Sequence, residues 1–176
     1  SFMAALPLSA LSSFFDCRIS RAMCSGPETI SGGRGICVLH HGNDAARELV
    51  NLCGMREIEI KSENEIDAFT AGICIPPILM NIKVDEMERK KALKNMALRG
   101  SVYRELSGWI EAELASAASQ DDKKSLENVS TKGGVSEAMV TSLINAGSFL
   151  PSVERGIERC AELRTELCKS LAVKAA

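Results

Sequence analysis

The hydrophobic period changes near residue 62, and that change restricts the chain to a fold in two parts of different kind. Before it, short β-like runs alternate with short helical ones; after it, apolar residues recur at helical spacing. Residues 1–6 (SFMAAL) read as a strand, and Pro7 opens a helix through Phe15, because proline suits a first helical position. Residues 17–23 (CRISRAM) and 34–39 (RGICVL) read as further strands. The alternation in MREIEI (55–60) marks a half-exposed one. Asn43 is an N-cap for a helix over Asp44–Leu52, which Gly54 stops. About 60 residues of this kind are too few for a complete doubly wound domain.

Ser62 and Glu65 stand at capping-box spacing and start the helical part. A break is predicted over residues 72–77 (GICIPP). From 78 to about 119 runs one sustained seam, on which Leu93, Met96, Gly100, Tyr103, Ser107, Ile110, Leu114 and Ala117 recur in alternating steps of three and four. Gly100 and Ser107 on that seam would let another backbone approach closely. Residues 120–124 read as a polar linker. Helices over 136–146 and 151–173 complete the chain, with Gly147 as the cap between them. The last helix carries Val153, Ile157, Cys160, Arg164, Leu167 and Leu171 on one stripe. So many apolar helix faces with so little sheet predict self-association; a compact monomeric bundle is the alternative.

Composition removes several classes of function. Lys and Arg number 21 and Asp and Glu 23, for a net charge of −2. Such a chain has no general attraction for phosphate backbones or acidic membranes. Five Phe, one Tyr and one Trp are too few for a base-stacking platform. Neither nucleic acid nor membrane is therefore an expected partner. The most apolar stretch, 68–80, is interrupted by Pro76 and Pro77 and falls short of the roughly 20 residues a spanning helix needs. Seven cysteines, with no C-x-x-C pair, predict free thiols in a reducing, cytoplasmic setting. His40 and His41 are adjacent and cannot form a helical ligand pair, so no metal site is expected. Ser1 enters at once into an apolar segment with no secretory n-region, which suggests a protein whose beginning precedes Ser1.

Two glycine-rich stretches invite a phosphate or nucleotide reading. In SGGRG (31–35) the third glycine of G-x-G-x-x-G would be Val38, and the stretch opens a strand, so a turn is the better reading. NVSTKGGVSEA (128–138) places Gly133 and Gly134 directly before a helix, where unobstructed backbone N–H groups can hold a carboxylate or phosphate. A plain helix start is the equal alternative. No catalytic triad or paired-carboxylate arrangement emerges, and no catalytic residue is named. Glu154, Arg155, Glu158, Arg159, Glu162 and Glu166 read as a solvated helix face.

Four segments together resemble pyrroline-5-carboxylate reductases. The run from Asn128 to Leu163 resembles that family's V-T-S-P-G-G-T-T-like loop and last helices. SENEIDAFTAG (62–72) resembles its E-x-x-x-D-A-V-T-A-L segment, SFMAALPLSAL (1–11) its S-I-A-A-G-I-P-L strand and turn, and ISRAMCSGP (19–27) its V-R-A-M-P-N-T-P. The resemblance implies residues 1–61 as the last part of a Rossmann-like NAD(P)-binding domain and 62–176 as a helical dimerisation and substrate domain. The family's glycine-rich nucleotide loop would lie before Ser1, so this chain alone is expected to be inactive.

By the same resemblance, Ala4, Ala5, Ala22 and Met23 would lie near the nicotinamide of NADP or NAD. Thr131, Lys132, Gly133, Gly134, Val135 and Ser136 would hold the carboxylate of a small cyclic imine or amino acid. The implied reaction is hydride transfer to a C=N bond, giving proline, in a homodimer formed through the helical domain. The family's S-G-S-G-P loop reads Ile73-Cys74-Ile75-Pro76-Pro77 here, and its P-G-G proline is Lys132. Those departures leave two alternatives: a non-catalytic paralogue acting as a dimeric scaffold, or a related reductase with another imine or keto substrate.

Overall fold

The computed structural model describes residues 1, 4–117 and 131–175. As the change of period predicts, an α/β part comes first and a helical part follows. The chain forms two compact units, Ser1–Asp67 with Ala161–Ala176, and Ala68–Cys160. No described helix is long and apolar enough to cross a membrane.

In the first unit three strands, β1 (Arg21–Cys24), β2 (Ile36–His40) and β3 (Arg56–Ile58), lie in the order β1-β2-β3. β1 and β2 are antiparallel, with Arg21 opposite His40 and Ala22 opposite Leu39. β2 and β3 are parallel, with Val38 opposite Ile58. Parallel neighbours need a crossover, and helix α3 (Asp44–Leu52) supplies it. The Asn43 side chain caps α3 by accepting from the Ala46 N–H at 2.9 Å, and Gly54 leaves the helix at φ +65°. Side chains alternate along a strand. One face of the sheet therefore carries Ala22, Cys24, Cys37 and Leu39, and these meet Val50, Met55, Ile30 and Ala46 in a core. The other face carries Arg21, Met23, Val38 and His40.

Two short helices differ from the sequence expectation. The helix from Pro7 is only α1 (Leu8–Ser12), with Pro7 as its N-cap. Helix α2 (Pro27–Ser31) was not foreseen; Pro27 opens it. The strand expected over 1–6 is not continuous. Ser1 is bridged to the β1 edge by Ser1 N to Ser20 O at 2.6 Å and Ala22 N to Ser1 O at 2.7 Å. Residues 2 and 3 lie outside the described residues, and Ala4 and Ala5 are already in a turn. The strand expected from 17 begins at Arg21.

Helix α4 (Glu65–Ile73) starts with half of the expected capping box: Glu65 Oε2 accepts from the Ser62 N–H at 3.0 Å and the Lys61 N–H at 2.5 Å. The second unit then departs from the single long run expected over 78–119. There are three helices, α5 (Ile75–Asn81), α6 (Glu86–Ala97) and α7 (Ser101–Ala117). Asp85 caps α6 by accepting from the Glu88 N–H at 3.0 Å, and the second break falls at Gly100. The seam therefore folds back on itself. Ser107 Oγ donates within 3.1 Å of Leu93 O and 2.8 Å of Tyr103 O, and Leu93, Met96 and Ile110 are buried by their own chain.

The linker expected at 120–124 lies outside the described residues. Helices α8 (Val135–Ala146) and α9 (Phe149–Ala175) follow, joined through Gly147 at φ +62°. Helix α9 begins two residues before Pro151, because proline within a first turn forfeits no hydrogen bond. Ser152 Oγ donates to Met139 O at 2.7 Å, tying α9 to α8.

Close approach of helices in this unit rests on glycine at Gly72, where an added Cβ would lie 2.8 Å from Leu106 Cδ1. Gly108, by contrast, has open space around it. Gly72→Val should lower unfolding stability by about 2 kcal/mol through overpacking. Gly108→Ala should raise it by about 0.5–1 kcal/mol through helix propensity. Denaturant melts of the two variants check both signs.

Candidate functional site

A buried guanidinium organises the sheet face that carries the residues expected near a nicotinamide. Arg21 is 1% exposed. Its Nη1 donates to Glu63 Oε1 at 2.5 Å and its Nη2 to the Ala4 carbonyl at 2.8 Å. Glu63 Oε1 also accepts from the Leu8 N–H at 2.6 Å. Ala4 and Ala5 are thereby brought beside β1. Met23 shares the face of Arg21, whereas the side chain of Ala22 turns to the opposite, helix-covered core. Of the four expected residues, Ala4 is half-buried and Ala5, Ala22 and Met23 are buried.

Beside this pair lies a second one. Asp67, on α4 and 5% exposed, accepts from Arg164 Nη2 on α9. The electrostatics of the two carboxyls oppose one another. Burial pushes Glu63 up, but the hydrogen bonds from Arg21 and the Leu8 N–H, with the charges of Arg21 and His40, outweigh it and hold the group below the usual range. At Asp67 burial wins against Arg164 and Arg21, and the pKa is raised. Burial and His41 lower His40, against the pull of Glu63.

Sequence reasoning assigned no role to this node, although Arg164 stood out as the one charge on the apolar stripe of the last helix. Arg21, in the R-A-M run, and Glu63 and Asp67, in the E-x-x-x-D segment, stood inside matched segments without a role being assigned to them. Among the described residues no group of His, Cys, Asp and Glu could hold a metal ion.

The second place is the start of α8. Gly133, at φ +71°, and Gly134 line an open cleft of about 400 Å³ together with Glu137, Thr141, Asn145, Arg155 and Arg159. Both glycine N–H groups are engaged within the chain. The Gly133 N–H donates to Glu137 Oε2 at 2.7 Å, and the Gly134 N–H to Thr131 O at 2.8 Å. Arg159 Nε donates to Gly133 O at 3.0 Å and fixes the turn from α9.

Val135 and Ser136 are buried, while Thr131 and Lys132 are exposed. The cleft therefore unites Gly133 and Gly134 with two arginines that the sequence presented only as a solvated face, their i, i+4 spacing being the available signal. A Cβ at Gly134 would meet Thr131 O at 2.8 Å, so any side chain there strains the turn itself. In the segment over residues 73–77, Ile75 and Pro76 are buried. The Cys74 thiol there donates to Thr70 O at 3.2 Å, and burial pushes it up to about 12.

Because the folded chain holds Glu63 below its unfolded pKa, the carboxylate adds stability above pH 4.5, and that contribution is lost as pH falls through the folded value. Glu63→Gln should therefore lie closer to wild type in acid than at neutral pH. Denaturant melts over a pH series measure this; a constant gap would mean that the charge of Glu63 contributes nothing to folding.

No family model and no curated protein matches the chain. Among solved structures, the pyrroline carboxylate reductase of Plasmodium falciparum with NADP bound is similar at 16% identity. The match covers 91% of this chain and 68% of that one, with a TM-score of 0.45.

Proposed function

We propose that the chain is part of a pyrroline-5-carboxylate reductase-like enzyme that reduces the C=N bond of a small cyclic imine carboxylate to proline. The observation that carries this reading is the Arg21–Glu63 pair. It joins the R-A-M run to the E-x-x-x-D segment, 42 residues apart, so two of the four family-like segments meet through their charged residues. In the proposed reaction a reduced nicotinamide, NADPH or NADH, supplies a hydride to the imine carbon, and the imine nitrogen, already protonated, becomes the amine of the product. The role of this chain is to hold two molecules in register, which can lower a barrier by several kcal/mol, on the order of 7–11 at best.

A specific observation favours a second reading. The Glu137 carboxylate takes the Gly133 N–H that a substrate carboxylate would need, and Ile75 and Pro76 offer no side-chain donors. These features suit a paralogue that keeps the helical unit as a dimeric scaffold without catalysis. In either reading the partner is a second copy, held through the helical domain.

Two measurements separate the readings, and a third tests the dimer common to both. Full-length protein incubated with NADPH, or with NADH in parallel, and pyrroline-5-carboxylate should form proline, detected by mass spectrometry. Absence of proline under both cofactors puts the scaffold first. Glu137→Ala should strengthen binding of proline several-fold in calorimetry if the start of α8 is the carboxylate site, and leave it unchanged if the turn is only a helix start. Light scattering should give twice the 18.9 kDa chain mass; a monomer at tens of micromolar, roughly the range of weak dimers, would remove the dimer from both readings.

A further inference from the structure

Two of the seven cysteines face each other across a strand pair. Cys24 closes β1, Cys37 lies in β2, and they are direct partners in the antiparallel register. The hydrogen bonds around them fix the kind of pair. The Ser25 N–H donates to Ile36 O at 2.9 Å and the Ile36 N–H to Ser25 Oγ at 3.0 Å, so Ser25 and Ile36 turn their backbone donors toward one another. The Ala22 N–H turns the other way, to Ser1 O at 2.7 Å. Bonded and non-bonded pairs alternate along an antiparallel ladder, which makes Cys24 and Cys37 a non-bonded pair. Facing Cα atoms in such a pair are about 4.5 Å apart, inside the span of roughly 4.4–6.8 Å that a disulfide bridges. Both side chains leave the same face of the sheet, and Cys24 packs against the core cluster that contains Cys37.

We propose that Cys24 and Cys37 are a dithiol that closes to a disulfide between β1 and β2 when a small disulfide such as glutathione disulfide reaches Cys24. Cys24 is half-buried whereas Cys37 is 0% exposed, so the reaction starts at Cys24. Its thiolate attacks one sulfur of glutathione disulfide and releases one glutathione. The Cys37 thiolate then attacks Cys24 Sγ and expels the second. One S–S bond forms in the protein, one breaks in the oxidant, and the two cysteine protons end on the two glutathiones. Burial raises both thiols. Cys53 adds to this at Cys24, and Glu57 and Cys24 add to it at Cys37, which is pushed up to about 12. Only the thiolate is nucleophilic, so closure is slow at neutral pH and quickens as pH rises. A thiol of high pKa is also a poor leaving group, and the closed bond is slow to open. The result is a lasting link, not a rapid switch.

The test incubates full-length protein with glutathione disulfide in mildly alkaline buffer, natively and in urea, then quenches with acid and blocks remaining thiols with N-ethylmaleimide. Trypsin places Cys24 (22–34), Cys37 (35–47) and Cys53 (48–56) on separate peptides, so mass spectrometry of the unreduced digest names the pairs. In native protein the 22–34 and 35–47 peptides, joined, should be the main intramolecular cross-link. Their share should fall several-fold in urea, where chain separation alone chooses partners and Cys17 competes for Cys24. Cys53→Ser, at an exposed position, should leave the native yield within about twofold. Cys24→Ser should abolish the link and leave Cys37 without glutathione, because Cys37 is reached only through Cys24.

A reaction that stops at glutathione on Cys24, a Cys24–Cys53 link as the main product, or a native pattern equal to that in urea overturns the proposal. So does native protein that stays fully reduced through prolonged incubation, for the two thiols are then only small apolar side chains of the core. Should Cys24→Ser not fold, the digests of wild type and Cys53→Ser decide: the Cys24–Cys37 link dominant in both supports the proposal, and its absence from either refutes it.

Discussion

The α/β unit depends on a positive charge that has nowhere to go but inward. Strand alternation fixes Arg21 on the face of β1 opposite the Ala22 and Cys24 core, and there it is sealed from water. An unpaired buried charge would cost several kcal/mol, so the surrounding chain is obliged to supply acceptors. It does so from the turn at Ala4 and from Glu63 just before α4. Neither is near Arg21 in sequence. The pair ties Ala4 and Leu8 to β1, since the Ala4 carbonyl and the Leu8 N–H are both satisfied by it.

The helical unit is held by a different device, large side chains seated directly on glycine backbone. Leu106 lies against Gly72, and Met139 against Gly156, at distances that a Cβ would violate. The Ser107 hydroxyl serves the same geometry, since it lets α7 come near enough to the Leu93 carbonyl for a 3.1 Å hydrogen bond. Polar ties close the periphery: Glu88 accepts from the Phe149 N–H at 2.7 Å, and Arg99 pairs with Glu154. Of the most conspicuous seam in the sequence, Leu93, Met96, Ser107 and Ile110 are buried within the chain, while Gly100, Tyr103, Leu114 and Ala117 are half-buried.

That seam also shows where a sequence can and cannot be read. Period and capping identified α3 with both of its ends, because Asn43 and Gly54 act locally. The same local chemistry was available at Asp85, three residues before Glu88, yet the regular steps of three and four overrode it. A helical hairpin can keep apolar phase across a turn, since both helices face one core, and periodicity does not register the break at Gly100. Helix α2 is five residues long, shorter than two turns, so it has no period to detect. The ion pairs were invisible for another reason. Twenty-one cations and 23 anions allow too many pairings for sequence alone to choose Arg21 with Glu63, or Arg164 with Asp67. A charge on an apolar stripe, as at Arg164, is the one clue of this kind that sequence offers.

At the start of α8 the glycine N–H groups are engaged by the chain itself. Glu137 is the third residue of the helix, and its carboxylate reaches back to the Gly133 N–H much as the glutamate of a capping box does. Contacts of this type are worth about 1 kcal/mol. Displacing one would weaken an incoming carboxylate by a factor of roughly five, since 1.4 kcal/mol corresponds to tenfold. Were the start of α8 an anion site, Glu137 would raise the threshold for an external carboxylate without closing it. The apolar run from Ile73 to Pro77 separates the two functional readings more sharply, because Ile75 and Pro76 have no side-chain donor that a rotamer change could supply, whereas a carboxylate can swing away.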